Sequence, residues 1–74
     1  MVKIIYYLSS GEKVAYMYEP ENVGKIRNMV DVSIGWIDLT ELAVLTEADR
    51  KLIKNDLVKS SEIIRIVIAQ PDIK

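Results

Sequence analysis

The chain has 74 residues, half of them apolar, and a formal net charge of −1. A chain this short buries only ~60% of the surface that its unfolded form exposes, so it usually needs a disulfide, a metal or a partner chain for added stability. The sequence contains no cysteine and no histidine, which excludes a disulfide and leaves only carboxylates as zinc ligands. We therefore predict a single small domain over residues 1–74 that associates with itself or with another protein.

The sequence has no segment typical of a secreted or membrane protein. The apolar run Ile4–Leu8 is too short for a signal peptide, and no run approaches the ~20 residues that span a bilayer. The small net charge predicts no strong attraction to nucleic acid or to an anionic membrane. We expect a cytoplasmic protein with no membrane partner.

The first two predicted strands form a hairpin. Residues 2–8 and 13–18 are rich in β-branched and aromatic side chains, which favour strands. The SSGE stretch between them contains Gly11, a residue that adopts positive φ without strain in a tight turn.

The register of this hairpin decides which side chains share a face of the sheet. A turn centred on Ser10 and Gly11 pairs Tyr7 with Val14, and residues directly opposite one another lie on the same face. One face is then predicted to carry Lys3, Ile5, Tyr7, Val14, Tyr16 and Tyr18. The opposite face is predicted to carry Val2, Ile4, Tyr6, Leu8, Ala15 and Met17.

A helix of about three turns is predicted over residues 20–32 because Pro20 suits a first helical turn and apolar residues follow at helical spacing. Those apolar residues are Val23, Ile26, Met29 and Val30. Gly35 then marks the start of a third strand.

In this third strand, the side chains alternate between the two faces. Ile37 and Leu39 are the expected core residues, while Trp36 lies on the other face with Asp38. An exposed Trp36 would be a candidate contact residue, since tryptophan is enriched at interfaces.

Two structures compete for residues 40–58. Thr46 and Asp49 resemble the start of a helix over 46–58, but its apolar residues are scattered around the helical wheel. The alternative is a strand over 35–45, a turn, and a short strand near Leu52. The scattered apolar positions favour this second interpretation.

The last predicted strand covers residues 60–70, with Ile64, Ile66 and Ile68 on one face. Pro71 ends it, and residues 71–74 are expected to be a frayed tail. The elements together predict an α+β fold: a small antiparallel or mixed sheet in the order β-β-α-β-(β)-β, with one helix packed on one face.

The sequence has no pattern typical of an active site. The commonest general base, histidine, and the thiol nucleophile are absent, and the glycines are too dispersed for a phosphate-binding loop. The acidic residues also lack the spacing of a calcium loop. We predict a protein that is not an enzyme, with no catalytic residues, no metal site and no cofactor.

Apolar residues on both faces of the predicted strands indicate a binding surface, because one helix covers only one face of a sheet. Tyrosine and tryptophan are enriched at such interfaces, so the interface candidates are Tyr7, Tyr16, Tyr18 and Trp36. A homodimer that buries the tyrosine face is the simplest arrangement. These traits are typical of small bacterial or phage accessory proteins, and we predict a non-enzymatic protein-interaction module acting as a homodimer.

Single-stranded nucleic acid is the alternative ligand. Bases stack on aromatic sheet faces, and the basic segment 50–59 supplies Arg50, Lys51, Lys54 and Lys59. The negative net charge favours the protein-binding interpretation over this one.

Overall fold

The computed structural model describes residues 1–69, which form the predicted α+β fold. In chain order the elements are β1 (Val2–Leu8), β2 (Lys13–Tyr18), a 3-10 turn (Pro20–Asn22), α1 (Val23–Val32), β3 (Trp36–Asp38), α2 (Glu47–Leu52), β4 (Leu57–Lys59), a second 3-10 turn (Ser60–Glu62) and β5 (Ile63–Ala69). The helix predicted over residues 20–32 is confirmed as the first 3-10 turn followed by α1. The frayed tail predicted for residues 71–74 lies outside the described residues.

The five strands form two sheets, and every pair of neighbouring strands is antiparallel. The main sheet has the order β2-β1-β5, and β3 pairs with β4 in a two-stranded ribbon. The outer edge of β2 is partly covered, because Tyr18 forms an isolated bridge with Ala43 and the N–H of Val44 donates to the carbonyl of Met17 at 2.8 Å.

The hairpin register differs by one residue from the predicted one. Tyr6 is opposite Val14, and Tyr7 is opposite Lys13. The N–H of Leu8 donates to the carbonyl of Glu12 at 2.9 Å, so the loop has three residues instead of the four assumed from the sequence. Gly11 is its last residue and has a φ of 96°, as in three-residue hairpin loops that end on a left-handed residue.

This shift moves Tyr16 and Tyr18 to the face that holds the core. We call this the inner face, and α1 and the β3–β4 ribbon pack against it. The buried apolar side chains are Val2, Ile4, Tyr6, Tyr18, Ile26, Ile37 and Leu39. Fully burying one large apolar side chain contributes ~1.5–3 kcal/mol, so the small core depends on each of them.

A bulge in β5 interrupts the predicted alternation of its isoleucines. Tyr7 pairs with Arg65, but Leu8 pairs with Ile63, so two steps along β5 match one step along β1. Such a bulge changes which side chains point inward. Ile63 consequently packs against the core, while Ile64 is 67% exposed.

Neither interpretation of residues 40–58 is correct over its whole length. Helix α2 covers Glu47–Leu52 instead of 46–58. The strand expected over 35–45 ends at Asp38, and the short strand expected near Leu52 is β4 at Leu57–Lys59. The hydroxyl oxygen of Thr46 accepts a hydrogen bond from the N–H of Asp49 at 3.1 Å, which is the cap that begins this helix. Leu52 is 84% exposed, so α2 is a surface helix that buries no apolar stripe. Scattered apolar positions therefore did not argue against it. No helix among residues 1–69 is long and apolar enough to cross a membrane.

Candidate functional site

The four interface candidates lie in three different places, so the predicted cluster of Tyr7, Tyr16 and Tyr18 on one face does not form. Tyr7 lies on the outer face of the main sheet, whereas Tyr16 and Tyr18 lie on the inner face. Trp36 lies on the ribbon. The one-residue difference in hairpin register is the cause, since such a shift moves every side chain of a strand to the other face.

Tyr18 is part of the core, where its hydroxyl joins a chain of buried hydrogen bonds. It donates to the carbonyl of Leu39 at 2.6 Å and lies 2.7 Å from the hydroxyl of Tyr6. Since a hydroxyl has one hydrogen, Tyr6 donates to Tyr18. Burial raises the pKa of both hydroxyls, which therefore remain protonated at neutral pH. A partner cannot reach Tyr18 in this fold.

Tyr16 connects β2 to the segment that precedes β4. Its hydroxyl donates to a carboxylate oxygen of Asp56 at 2.5 Å. Burial, this hydrogen bond and the nearby carboxylates raise the pKa of Tyr16, so the hydroxyl is protonated and remains a donor at neutral pH. Tyr16 thus has a structural role in the described fold.

Asp38 fixes the turn that follows β3. One of its carboxylate oxygens accepts from the N–H of Thr40 at 3.0 Å, from the hydroxyl of Thr40 at 2.7 Å and from the N–H of Asp56 at 3.4 Å. Burial disfavours the ionised form of Asp38, but these donors outweigh it and lower its pKa. Asp38 and Asp56 are thus both engaged by structural donors.

Trp36 is 63% exposed, whereas Ile37 and Leu39 are buried, which confirms the alternation predicted for this strand. The ammonium of Lys59, directly opposite on β4, lies 5.6 Å from the centroid of the indole ring. Such a cation–π contact at an exposed site contributes ~0.5–1 kcal/mol. Trp36 and Leu57 line a shallow groove whose other wall is the β1–β2 turn.

Fluorescence of this single tryptophan tests its exposure. We expect an emission maximum close to that of tryptophan in water, efficient quenching by acrylamide, and only a small shift on unfolding in urea, because the ring is already in contact with solvent. A blue-shifted emission that is independent of protein concentration would place Trp36 in the core and contradict the described position.

The outer face of the main sheet is the strongest candidate site. The register places nine side chains on it: Lys3, Ile5, Tyr7, Lys13, Ala15, Met17, Arg65, Val67 and Ala69. None of these nine side chains belongs to the hydrophobic core, because α1 and the ribbon pack against the inner face. The side chains at the centre of the outer face are apolar. Ile5 and Tyr7, on the central strand, are only partly buried.

All three charged residues of the outer face are cations. Tyr7 has Lys13 directly opposite on one side and Arg65 on the other, and the guanidinium of Arg65 lies 5.3 Å from the centroid of the Tyr7 ring. Lys3 occupies the other end of the same strand. The face is therefore locally positive although the chain has a net charge of −1.

Sequence reasoning identified Tyr7 and Lys3 on this face but missed Lys13 and Arg65. The signal that would have placed Lys13 there is the SSG sequence of the turn, since a glycine at its third position is typical of a three-residue loop. Within residues 1–69, no group of three or more acidic side chains is placed to hold a metal ion. No protein-family model, no curated protein and no solved structure matches the chain.

Proposed function

We propose that this protein is a non-enzymatic protein-interaction module that binds its partner on the outer face of the main sheet. The observation that carries the proposal is the composition of this face: apolar side chains in the middle, three cations at the ends and no acid among its nine positions. Exposed apolar surfaces framed by polar residues are typical of protein–protein interfaces. The cytoplasmic location expected from the sequence remains part of this proposal.

The charges of the outer face determine the chemistry of the partner. Complementary potentials favour association and like charges oppose it, so the partner should carry an apolar strip flanked by Asp or Glu. The three strands span ~10 Å from β2 to β5, which matches the ~10–12 Å diameter of one helix. An acidic amphipathic helix therefore fits the face in both width and charge.

A homodimer that packs two outer faces together fits this chemistry less well. It would bring Lys3, Lys13 and Arg65 of both copies into one interface that contains no acidic side chain. Like charges juxtaposed in an interface are unfavourable. Of the two partners expected from the sequence, the outer face favours a different protein over a second copy.

Titration of the 15N-labelled protein with a synthetic helical peptide, which has glutamates beside an apolar strip, tests the proposal. We expect chemical-shift changes confined to the outer face, and much weaker binding of a matched peptide with lysine in place of glutamate. The double variant Lys13→Glu/Arg65→Glu should bind the acidic peptide at least about tenfold less tightly, because it reverses two of the three charges.

The matched control is Lys51→Glu/Lys54→Glu, which makes the same change of charge at two exposed positions outside the sheet. It should bind the acidic peptide almost as tightly as the natural chain. Equal losses in both double variants would show that net charge, not the outer face, determines binding. Shift changes centred on Trp36 would move the site to the ribbon.

Single-stranded nucleic acid is the second candidate because Tyr7 lies between two cations, an arrangement that can stack a base and contact its phosphate. The basic segment 50–59 does not extend the outer face, however, because Lys59 sits over Trp36 on the ribbon, which covers the inner face. An oligonucleotide titrated at low salt should show weak binding at most. Salt-sensitive micromolar binding that Lys13→Glu/Arg65→Glu abolishes would favour this candidate.

A further inference from the structure

Among residues 1–69, neither a strand nor an isolated bridge pairs with the outer edge of β5. It is seven residues long and contains no proline; of the features with which proteins usually protect such edges, it has one charged residue, Arg65, and the bulge at Ile64. Ile64 and Ile68 on this strand are 67% and 41% exposed. The opposite edge of the sheet, on β2, is partly covered by residues 43–44. The two edges therefore differ in their capacity to pair with another chain.

We infer that the edge of β5 pairs antiparallel with β5 of a second copy of this chain. A two-fold axis through Ile66, perpendicular to the sheet, places each Ile64 opposite Ile68 of the other copy and each Arg65 opposite Val67. Every directly opposed pair is then free of like charges, and the exposed isoleucines meet one another, which stabilises an antiparallel pair. The result is one six-stranded sheet.

The charges beside this edge point to a second copy as the occupant. Arg27 and Asp31 of α1, together with Ile66 and Ile68 of β5, line a groove between the helix and the strand edge. The two-fold axis brings the second α1 to the same side of the sheet as the first. Arg27 and Asp31 carry opposite charges and line the same groove as Ile66, so the dimer that we infer pairs the arginine of each copy with the aspartate of the other across the axis.

This dimer involves a different surface from the proposed outer-face site and does not depend on it. It also supplies the stabilising partner that a chain of this length usually needs. Its outer face would be continuous across six strands, so that one dimer presents two copies of the apolar, positively charged surface.

Sedimentation equilibrium of the full chain tests the inference. The most specific test uses variants in which one charge of α1 is reversed. We expect the natural chain to dimerise, and Arg27→Asp and Asp31→Arg each to raise the dimer dissociation constant at least about tenfold, because each variant opposes like charges across the axis. An equimolar mixture of the two variants should dimerise again, since the substituted helices then carry opposite charges. Both positions are exposed, so folding should be unaffected.

Substitution in the strand separates edge pairing from other modes of association. Ile64→Lys should yield a monomer, because it places a charge on the edge at an exposed position. Ile34→Lys is the matched control: Ile34 is 97% exposed and lies outside β5, and this variant should dimerise like the natural chain. A natural chain that stays monomeric at high concentration overturns the inference, as does a mixture of the two charge-reversed variants that stays monomeric.

Discussion

Replacement of Tyr18 with phenylalanine is expected to lower the free energy of unfolding by ~2–6 kcal/mol, because it leaves two buried polar groups without partners. The carbonyl of Leu39 loses the hydroxyl that donates to it, and the hydroxyl of Tyr6 loses its acceptor. Each such group costs ~1–3 kcal/mol. A chain of 74 residues has a total stability of roughly 4–11 kcal/mol, so this variant should be close to unfolding.

Tyr6→Phe should cost much less, about 1 kcal/mol, although Tyr6 is equally buried. Loss of the Tyr6 hydroxyl leaves intact the hydrogen bond from the Tyr18 hydroxyl to the Leu39 carbonyl, and removes only a donor to the Tyr18 oxygen. The double variant Tyr6→Phe/Tyr18→Phe should be more stable than Tyr18→Phe alone, because it also removes the hydroxyl that the single variant leaves without an acceptor.

Urea unfolding followed by circular dichroism gives the three free energies. The expected order of stability is Tyr6→Phe, then the double variant, then Tyr18→Phe. Strictly additive effects of the two substitutions would mean that the hydroxyls are not coupled, and would contradict the chain of hydrogen bonds that ends at the carbonyl of Leu39.

The parts of the fold that the sequence predicts correctly are those determined by local preferences. The helix over residues 20–32 follows from helical spacing and Pro20. The burial of Ile37 and Leu39 follows from alternation along a single strand. Each of these inferences uses residues that are neighbours in the chain, so none depends on how distant segments pair.

The candidate site could not be predicted in the same way, because it depends on register. The β1–β2 loop is one residue shorter than expected, which places Tyr16 and Tyr18 on the inner face instead of the expected binding face and brings Lys13 beside Tyr7. The bulge at Ile64 had a similar effect on β5. Both features are backbone adjustments of one residue, and the average strand propensity of a segment does not report them.

The carboxylate of Asp38 illustrates a third kind of determinant, since its role depends on ionisation. Asp38→Ala should destabilise the fold by ~2–3 kcal/mol, because it leaves the N–H and hydroxyl of Thr40 and the N–H of Asp56 without their charged acceptor. Asp38→Asn should cost less, about 1 kcal/mol, since an amide oxygen still accepts hydrogen bonds but carries no charge.

The pH dependence distinguishes charge from geometry at this position. Because folding lowers the pKa of Asp38, its ionised form contributes stability above the unfolded-state pKa of ~3.9. That contribution is lost as the pH falls through the lower pKa of the folded state. The stability difference between the natural chain and Asp38→Asn should therefore be largest at neutral pH and shrink below pH ~4. Urea unfolding of both proteins at a series of pH values measures this difference. A difference that is constant with pH would mean that the charge of Asp38 contributes nothing beyond the hydrogen bonds that its oxygen accepts.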